Sequence, residues 1–308
     1  MVIDAHVHSF ERLSGLTGRG EVRSIGLGKI RYGTGEEERM TPPSFINNSF
    51  PGEVVVEYMD WIGVDKAVLC QGTLYGFHNE YVSSLVRRWP KRFVGCVLVD
   101  PILGNSVEVL KYAVEELGLR ALKLELSEFC GLLGLHPQLK LNHPKLQRFW
   151  KSFASYDLPL IIDLGPVASK SYQLEELEKV LYSHTGIRTV IICHLGGIFA
   201  KDEVSKKIEE RWMKFLCMAQ RRGFYLDLAS LPAFFNEEYP CPIAQKYVEI
   251  AFKTLGAEHL LWGSDIPGTL TRVTYRQALD IVRGHCTFLS SSEKRLILGE
   301  NAHRIYQF

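Results

Sequence analysis

Met1-Val-Ile-Asp-Ala-His6-Val-His8 opens the chain, a short apolar run that ends in His-x-His. An extended strand turns alternate side chains to opposite faces, so residues two apart share one face. Both imidazoles therefore leave the strand together, close enough to hold one divalent metal. Imidazole suits zinc, iron, copper and nickel, and mixed nitrogen and carboxylate sets are typical of hydrolytic metal sites. Two core or two solvent-facing histidines would give the same pattern, so the rest of the chain has to choose.

Working outward, short apolar runs alternate with longer amphipathic ones. Strands are expected over residues 2–8, 66–71, 93–99, 121–126, 160–164, 189–194, 224–228 and 260–264. Helical patterns fill 53–62, 80–88, 106–117, 144–155, 174–183, 203–221, 242–254 and 272–283, and a last helix begins at Ser290, where Glu293 completes a capping box. Eight strand–helix alternations imply parallel strands joined by crossovers, and eight strands close a barrel. The fold class is α/β, a (β/α)8 TIM barrel, expected as a single domain over residues 1–308. A doubly wound open sheet is the rival, weakened because no strand is followed by a Gly-x-Gly-x-x-Gly turn. Long loop insertions interrupt the rhythm after strands 1 and 4, at 9–51 and 127–143. Both leave the C-terminal face of the barrel and are expected as lids or pocket walls.

That face is where such barrels gather their chemistry. Strand one offers His6 and His8, strand four Lys123 and Glu125, and strand five Asp163. Strand six ends in Val-Ile-Ile-Cys-His194-Leu-Gly-Gly and strand eight in Leu-Trp-Gly-Ser-Asp265-Ile-Pro. Any one of these polar residues could simply cap a strand. Their convergence on one end of one barrel is harder to explain that way.

Composition narrows the class. The chain has 308 residues, 46% of them hydrophobic, and a net charge of +1 from 36 basic against 35 acidic residues. That balance argues against nucleic acid or a membrane surface as a partner. The start lacks a signal-peptide pattern, and no apolar run is long enough to span a bilayer. Seven cysteines without a Cys-x-x-Cys pair suggest a reduced, cytoplasmic protein without structural disulfides.

Ile-Asp-Ala-His6-Val-His8, His194-Leu-Gly-Gly, Trp-Gly-Ser-Asp265-Ile-Pro and the closing Leu-Gly-Glu-Asn301-Ala-His-Arg-Ile-Tyr together resemble the amidohydrolase superfamily. More narrowly, the chain is similar to the amidohydrolase-related branch that includes aminocarboxymuconate-semialdehyde decarboxylase, from residue 2 to about residue 306. The resemblance implies one divalent metal, zinc foremost with manganese or iron as alternatives. His6 and His8 would be ligands, Asp265 a ligand or proton shuttle, and His194 a catalytic histidine. The branch's strand-five histidine is replaced by Asp163, which either ligates through oxygen or marks a lost metal. The expected activity is metal-dependent hydrolysis of an ester, lactone or amide in a small carboxylate-bearing or cyclic substrate. Non-oxidative decarboxylation of an aromatic or muconate-type carboxylate is the alternative, and a metal-free lactonase or a non-catalytic barrel the second one. Lys123, Glu125, Gln71 and His78 are the expected substrate-binding residues, with Arg31 and Arg39 as further carboxylate partners. The partner is a small molecule, and the resemblance allows a homodimer.

Overall fold

The computed structural model describes residues 1–199 and 204–308. Twelve strands follow in chain order: β1 (Ile3–His8), β2 (Gly15–Thr17), β3 (Gly20–Gly26), β4 (Lys29–Tyr32), β5 (Glu37–Arg39), β6 (Lys66–Cys70), β7 (Phe93–Val97), β8 (Ala121–Glu125), β9 (Leu160–Asp163), β10 (Val190–Ile192), β11 (Tyr225–Asp227) and β12 (Leu260–Leu261). β1 and β6 to β12 form one eight-stranded sheet, in chain order and paired in parallel. The ring is nearly closed between its first and last strands. There a bridge joins Val7 to Ile266, and Ala5 N–H donates to the Trp262 carbonyl at 2.9 Å. The expected barrel is therefore present. Gly263 is needed at this seam, because a Cβ there would lie 2.9 Å from the Cβ of His6.

Helices cover the outside by burying one stripe each. In the helix Gly52–Ile62, Val55, Met59 and Ile62 face inward at helical spacing, and Gly63 ends it with φ of 82°. Inside the ring the side chains are small or branched, with Ala5, Cys70, Cys96, Ala121 and Cys193 among them, and Tyr306 of the last helix packs against this cluster. The cysteines are unpaired, and those of the strands serve as small hydrophobes.

Three expectations need correction. The stretch after strand one is not a loop. β2 to β5 form a four-stranded antiparallel sheet of their own, whose side chains are largely exposed. The stretch after strand four carries a short helix, Leu132–Leu135. The expected helices over 144–155, 272–283 and from Ser290 onward are interrupted. They contain a 3-10 turn at Pro144–Leu146 and wider π turns at Ile281–His285 and Leu296–Glu300. The expected helix over 203–221 runs as Lys206–Arg222, and Glu203 lies outside the described residues. Among the described residues, no helix is long and apolar enough to cross a membrane.

Candidate metal centre

The register of β1 against β6 shifts between Asp4 and Val7. This bulge exchanges the parity of the strand: Ile3 and Ala5 pack inside the ring, whereas Val7 packs outside it. His6 and His8 then share the inner face at the C-terminal end. Each ring is tied through Nδ1 to a group that can only accept. His6 Nδ1–H donates to Asp227 Oδ2 at 2.9 Å, and His8 Nδ1–H to the Cys70 carbonyl at 3.1 Å. Both Nε2 atoms consequently point into the mouth with their lone pairs free.

The third member is Asp265, in the turn after β12. One ligand atom from each of His6, His8 and Asp265 lies within 4.8 Å of the others, and His8 Nε2 is 3.0 Å from Asp265 Oδ1. Two acceptors so close require a proton or a cation between them. His6 Nε2 is fully buried and has no hydrogen-bond partner among the described residues, a costly state for a polar atom. Burial pushes its imidazole down to about 4, so the lone pair is available at neutral pH. Burial would raise Asp265, but the histidines around it, His8 first, outweigh burial and hold the carboxyl well below its usual range. Two imidazole nitrogens and an ionised carboxylate fit a divalent transition metal such as zinc. A second grouping, His6, Cys193 and His194, shares His6. Burial pushes the Cys193 thiol well above its ordinary value, so it is protonated and a poor ligand.

Asp227, at the end of β11, organises the cluster and was not among the expected site residues. Its Oδ1 accepts the backbone N–H groups of His194 at 2.7 Å and Ala229 at 3.2 Å, while Oδ2 holds His6. Burial opposes its charge, but His6 and His194 outweigh burial and keep it ionised. A carboxylate behind a ligating histidine fixes the tautomer and the ring orientation. Asp227→Asn is expected to weaken zinc binding about 10–100-fold. Its amide must place an NH2 either against backbone donors or against His6 Nδ1, which moves the imidazole proton to Nε2. Competition with a chromogenic chelator measures this, and unchanged affinity would remove Asp227 from the site. Asp4 works beneath the cluster: Oδ1 accepts His6 N–H at 3.1 Å and Ser264 N–H at 2.8 Å, joining the two ligand-bearing segments.

His194 follows β10, and its ring lies 5.1 Å from that of His6. His194, Leu195, Gly196 and Gly197 all have positive φ. The two glycines are required, since a Cβ at 196 would meet Phe215 at 2.1 Å and one at 197 the Gly165 carbonyl at 2.2 Å. His194 Nδ1–H donates to the Ala229 carbonyl at 3.3 Å, leaving Nε2 3.5 Å from Asp163 Oδ2. Asp163 is thus not brought into the His6–His8–Asp265 cluster. Its other oxygen accepts Gly165 N–H at 2.7 Å, which turns the carboxylate towards His194. Lys123 is buried within the barrel. Burial pulls its pKa down, but the carboxylates of Asp163 and Glu125 near it favour the charged ammonium. Its ammonium makes no hydrogen bond or ion pair with any described residue.

With this geometry in view, comparison with known proteins gives a family. The amidohydrolase family model matches residues 3–308. The chain belongs to the amidohydrolase family. No curated protein matches it. Among solved structures, this amidohydrolase is similar to a probable 2-pyrone-4,6-dicarboxylic acid hydrolase from Acinetobacter baumannii with citric acid bound. The identity is 20%, the match covers 100% of this chain and 99% of that one, and the TM-score is 0.71. An amidohydrolase from Burkholderia multivorans with bound zinc has 16% identity, the same coverage and a TM-score of 0.75. A 2,6-dihydroxybenzoate decarboxylase from Rhizobium has 15% identity over 83% of this chain and 88% of that one, with a TM-score of 0.57. At these identities the likeness is one of fold.

Several expected substrate contacts are engaged elsewhere in this amidohydrolase. Gln71 Nε2 donates to Asn79 Oδ1 and the Cys96 carbonyl, and its Oε1 accepts His78 N–H, so it is spent on holding the loop. His78 Nε2–H donates to the Tyr75 carbonyl at 3.0 Å. Arg31 pairs with Glu37 at 2.6 Å, and Arg39 caps the Leu27 carbonyl at 2.9 Å. Both serve the insertion sheet. Glu125 Oε1 accepts the Ser127 hydroxyl and the Cys130 thiol, each at 2.8 Å. The insertion sheet abuts the loops after β6 and β8. Leu16 N–H donates to the Thr73 carbonyl at 2.8 Å, and Arg19 lies 3.4 Å from the Tyr32 ring and 3.9 Å from Phe129. Aromatic rings face the histidines on both sides, Tyr75 at 4.3 Å from His8 and Phe234 at 4.7 Å from His194.

Proposed function

We propose that this amidohydrolase is a metal-dependent hydrolase that opens an ester, lactone or amide bond in a small, ring-shaped or carboxylate-bearing substrate. The observation that carries the reading is the unpartnered, buried Nε2 of His6, aimed at His8 and Asp265. His6, His8 and Asp265 would hold the ion. Bound there, a divalent cation supplies Lewis-acid polarisation of a carbonyl oxygen and lowers the pKa of water towards ~7.

The remaining roles fall to the chain's own side chains. Asp265, kept ionised by the histidines around it, accepts the proton of the attacking water and returns it to the leaving-group oxygen or nitrogen. His194, fixed through Nδ1 and beside His6 at 5.1 Å between ring centroids, offers Nε2 to the substrate. Lys123 is a charged ammonium with no partner, suited to a single substrate carboxylate. Tyr75 and Phe234, packed against His8 and His194, give the rim of the site an aromatic character that suits a ring-shaped substrate. The zinc-bound Burkholderia amidohydrolase and the pyrone-dicarboxylic acid hydrolase of similar fold support this reading over the decarboxylase one, whose example superposes less well.

The test is a substrate panel run on zinc-reconstituted protein and on protein stripped with a chelator. Aldonolactones, dihydrocoumarin, aryl esters and dihydroxybenzoates should be included. Hydrolysis of at least one lactone or ester, lost on stripping and restored by zinc, is expected. Release of carbon dioxide from the benzoates without any hydrolysis would make the protein a decarboxylase. Hydrolysis that survives stripping would remove the metal from the mechanism.

A further inference from the structure

Tyr75 lies in the loop after β6, and its backbone is pinned on three sides. Its N–H donates to the Gly72 carbonyl at 3.0 Å, and its own carbonyl accepts Ser14 N–H at 3.0 Å and His78 Nε2 at 3.0 Å. The ring is stacked between His8, 4.3 Å away, and Phe10, 4.9 Å away, and the residue is only 9% exposed. Nothing in this packing needs a hydroxyl, because a phenylalanine would stack equally well. Yet the hydroxyl has no hydrogen-bond partner among the described residues. Two carboxylates lie near it, those of Asp265 and Glu125, and it bonds to neither. On its open side stands Gly268, three positions beyond Asp265, where a Cβ would lie 3.6 Å from the phenol oxygen. A glycine there leaves space beside the hydroxyl, next to the cluster of His6, His8 and Asp265.

The phenol oxygen is not among the fully buried atoms that lack a partner, so it opens on the mouth, and a hydroxyl held there without a protein partner at the edge of a reactive cluster is placed to meet the ligand. We propose that the Tyr75 hydroxyl donates a hydrogen bond to the substrate oxygen that gains negative charge during the reaction. The proposal rests on the hydrolytic reading above and adds a catalytic residue to it. A phenol is protonated at neutral pH and, in this pocket, acts as a donor. Its position is set in advance by the stack on His8 and by the three backbone contacts, so little reorganisation is needed when charge develops. The neighbouring carboxylates cannot fill this role, because both are acceptors when ionised.

The experiment compares wild type with Tyr75→Phe, which keeps both stacked faces and removes one oxygen. Methylphosphonate, a tetrahedral anion with the shape of the charged intermediate of acyl transfer, is titrated calorimetrically into both zinc-loaded proteins. Turnover of the lactone and ester panel is measured in parallel. The expected result is about tenfold weaker methylphosphonate binding by the variant. Its kcat should fall about 10²-fold with KM within about threefold, at unchanged zinc content and melting temperature. Equal methylphosphonate affinity in the two proteins overturns the proposal, as does a wild type that does not bind the anion at all. A wild type that binds methylphosphonate but hydrolyses no member of the panel sinks the hydrolytic reading alone. In that case the affinity ratio still decides whether the hydroxyl meets an anionic oxygen.

Discussion

His6→Ala is expected to lose its metal almost completely, from about one ion per chain to less than about a tenth, and to lose hydrolysis by about 10³-fold or more. The size follows from what the ion supplies. Lewis-acid stabilisation is worth several kcal/mol in the transition state, and each 1.36 kcal/mol is tenfold in rate. Of the three grouped ligand atoms, His6 Nε2 alone is both fully buried and unpartnered, and its ring is fixed by Asp227 at 2.9 Å. Removing the imidazole also strands the Asp227 charge, which is 1% exposed. Breaking such a buried pair costs about 3–5 kcal/mol of stability. A second variant therefore has to separate loss of metal from loss of fold. His6→Gln keeps an amide that can donate to Asp227 but reaches differently into the mouth. Plasma mass spectrometry on both variants, with melting curves alongside, makes the measurement. A folded His6→Gln protein without metal or activity gives the expected outcome. Full metal content in both variants would show that the ion, if bound, sits elsewhere.

The architecture was legible because two periodicities coexist in the chain. Eight apolar runs of strand length separated by amphipathic stretches could hardly be satisfied except by a parallel sheet with helices outside it. His6, His8 and Asp265 were legible as well, since each is a polar residue closing an apolar run. Asp227 carries the same signal, in Phe-Tyr-Leu-Asp227-Leu, yet its role depends on closure of the ring, which brings β11 within one strand of β1 and His6, and local sequence does not state that. For Asp163 the strand position alone does not decide where the carboxylate points, which a local hydrogen bond from Gly165 helps to set. Gln71 illustrates the same limit, because a polar side chain at a strand end serves substrate or loop equally well until its neighbours are known. The insertion sheet was read as loop for a physical reason. β3 and β5 are mostly exposed and rich in charge, with Glu21, Arg23, Glu37, Glu38 and Arg39, so they lack the apolar alternation by which a half-buried strand is recognised.

Asp265→Asn should separate binding of the ion from use of the water proton. The substitution is nearly isosteric, and asparagine tolerates the left-handed backbone that Asp265 adopts, with φ of 61°. The backbone bond from residue 265 N–H to the His6 carbonyl, 2.8 Å long, does not involve the side chain and should persist. What disappears is the negative charge 3.0 Å from His8 Nε2 and, with it, the group able to receive a proton. Positioned general bases contribute typically about 10²–10⁴-fold, so kcat is expected to fall by that factor. Zinc affinity should weaken less severely than in His6→Ala, because both imidazoles still present Nε2. The comparison is made at saturating zinc, where the variant carries its ion and the rate deficit reports proton transfer alone. A variant loaded with zinc that turns over within about threefold of wild type would show that Asp265 only helps to hold the ion. Proton transfer would then fall to His194, whose ring lies 5.1 Å from that of His6.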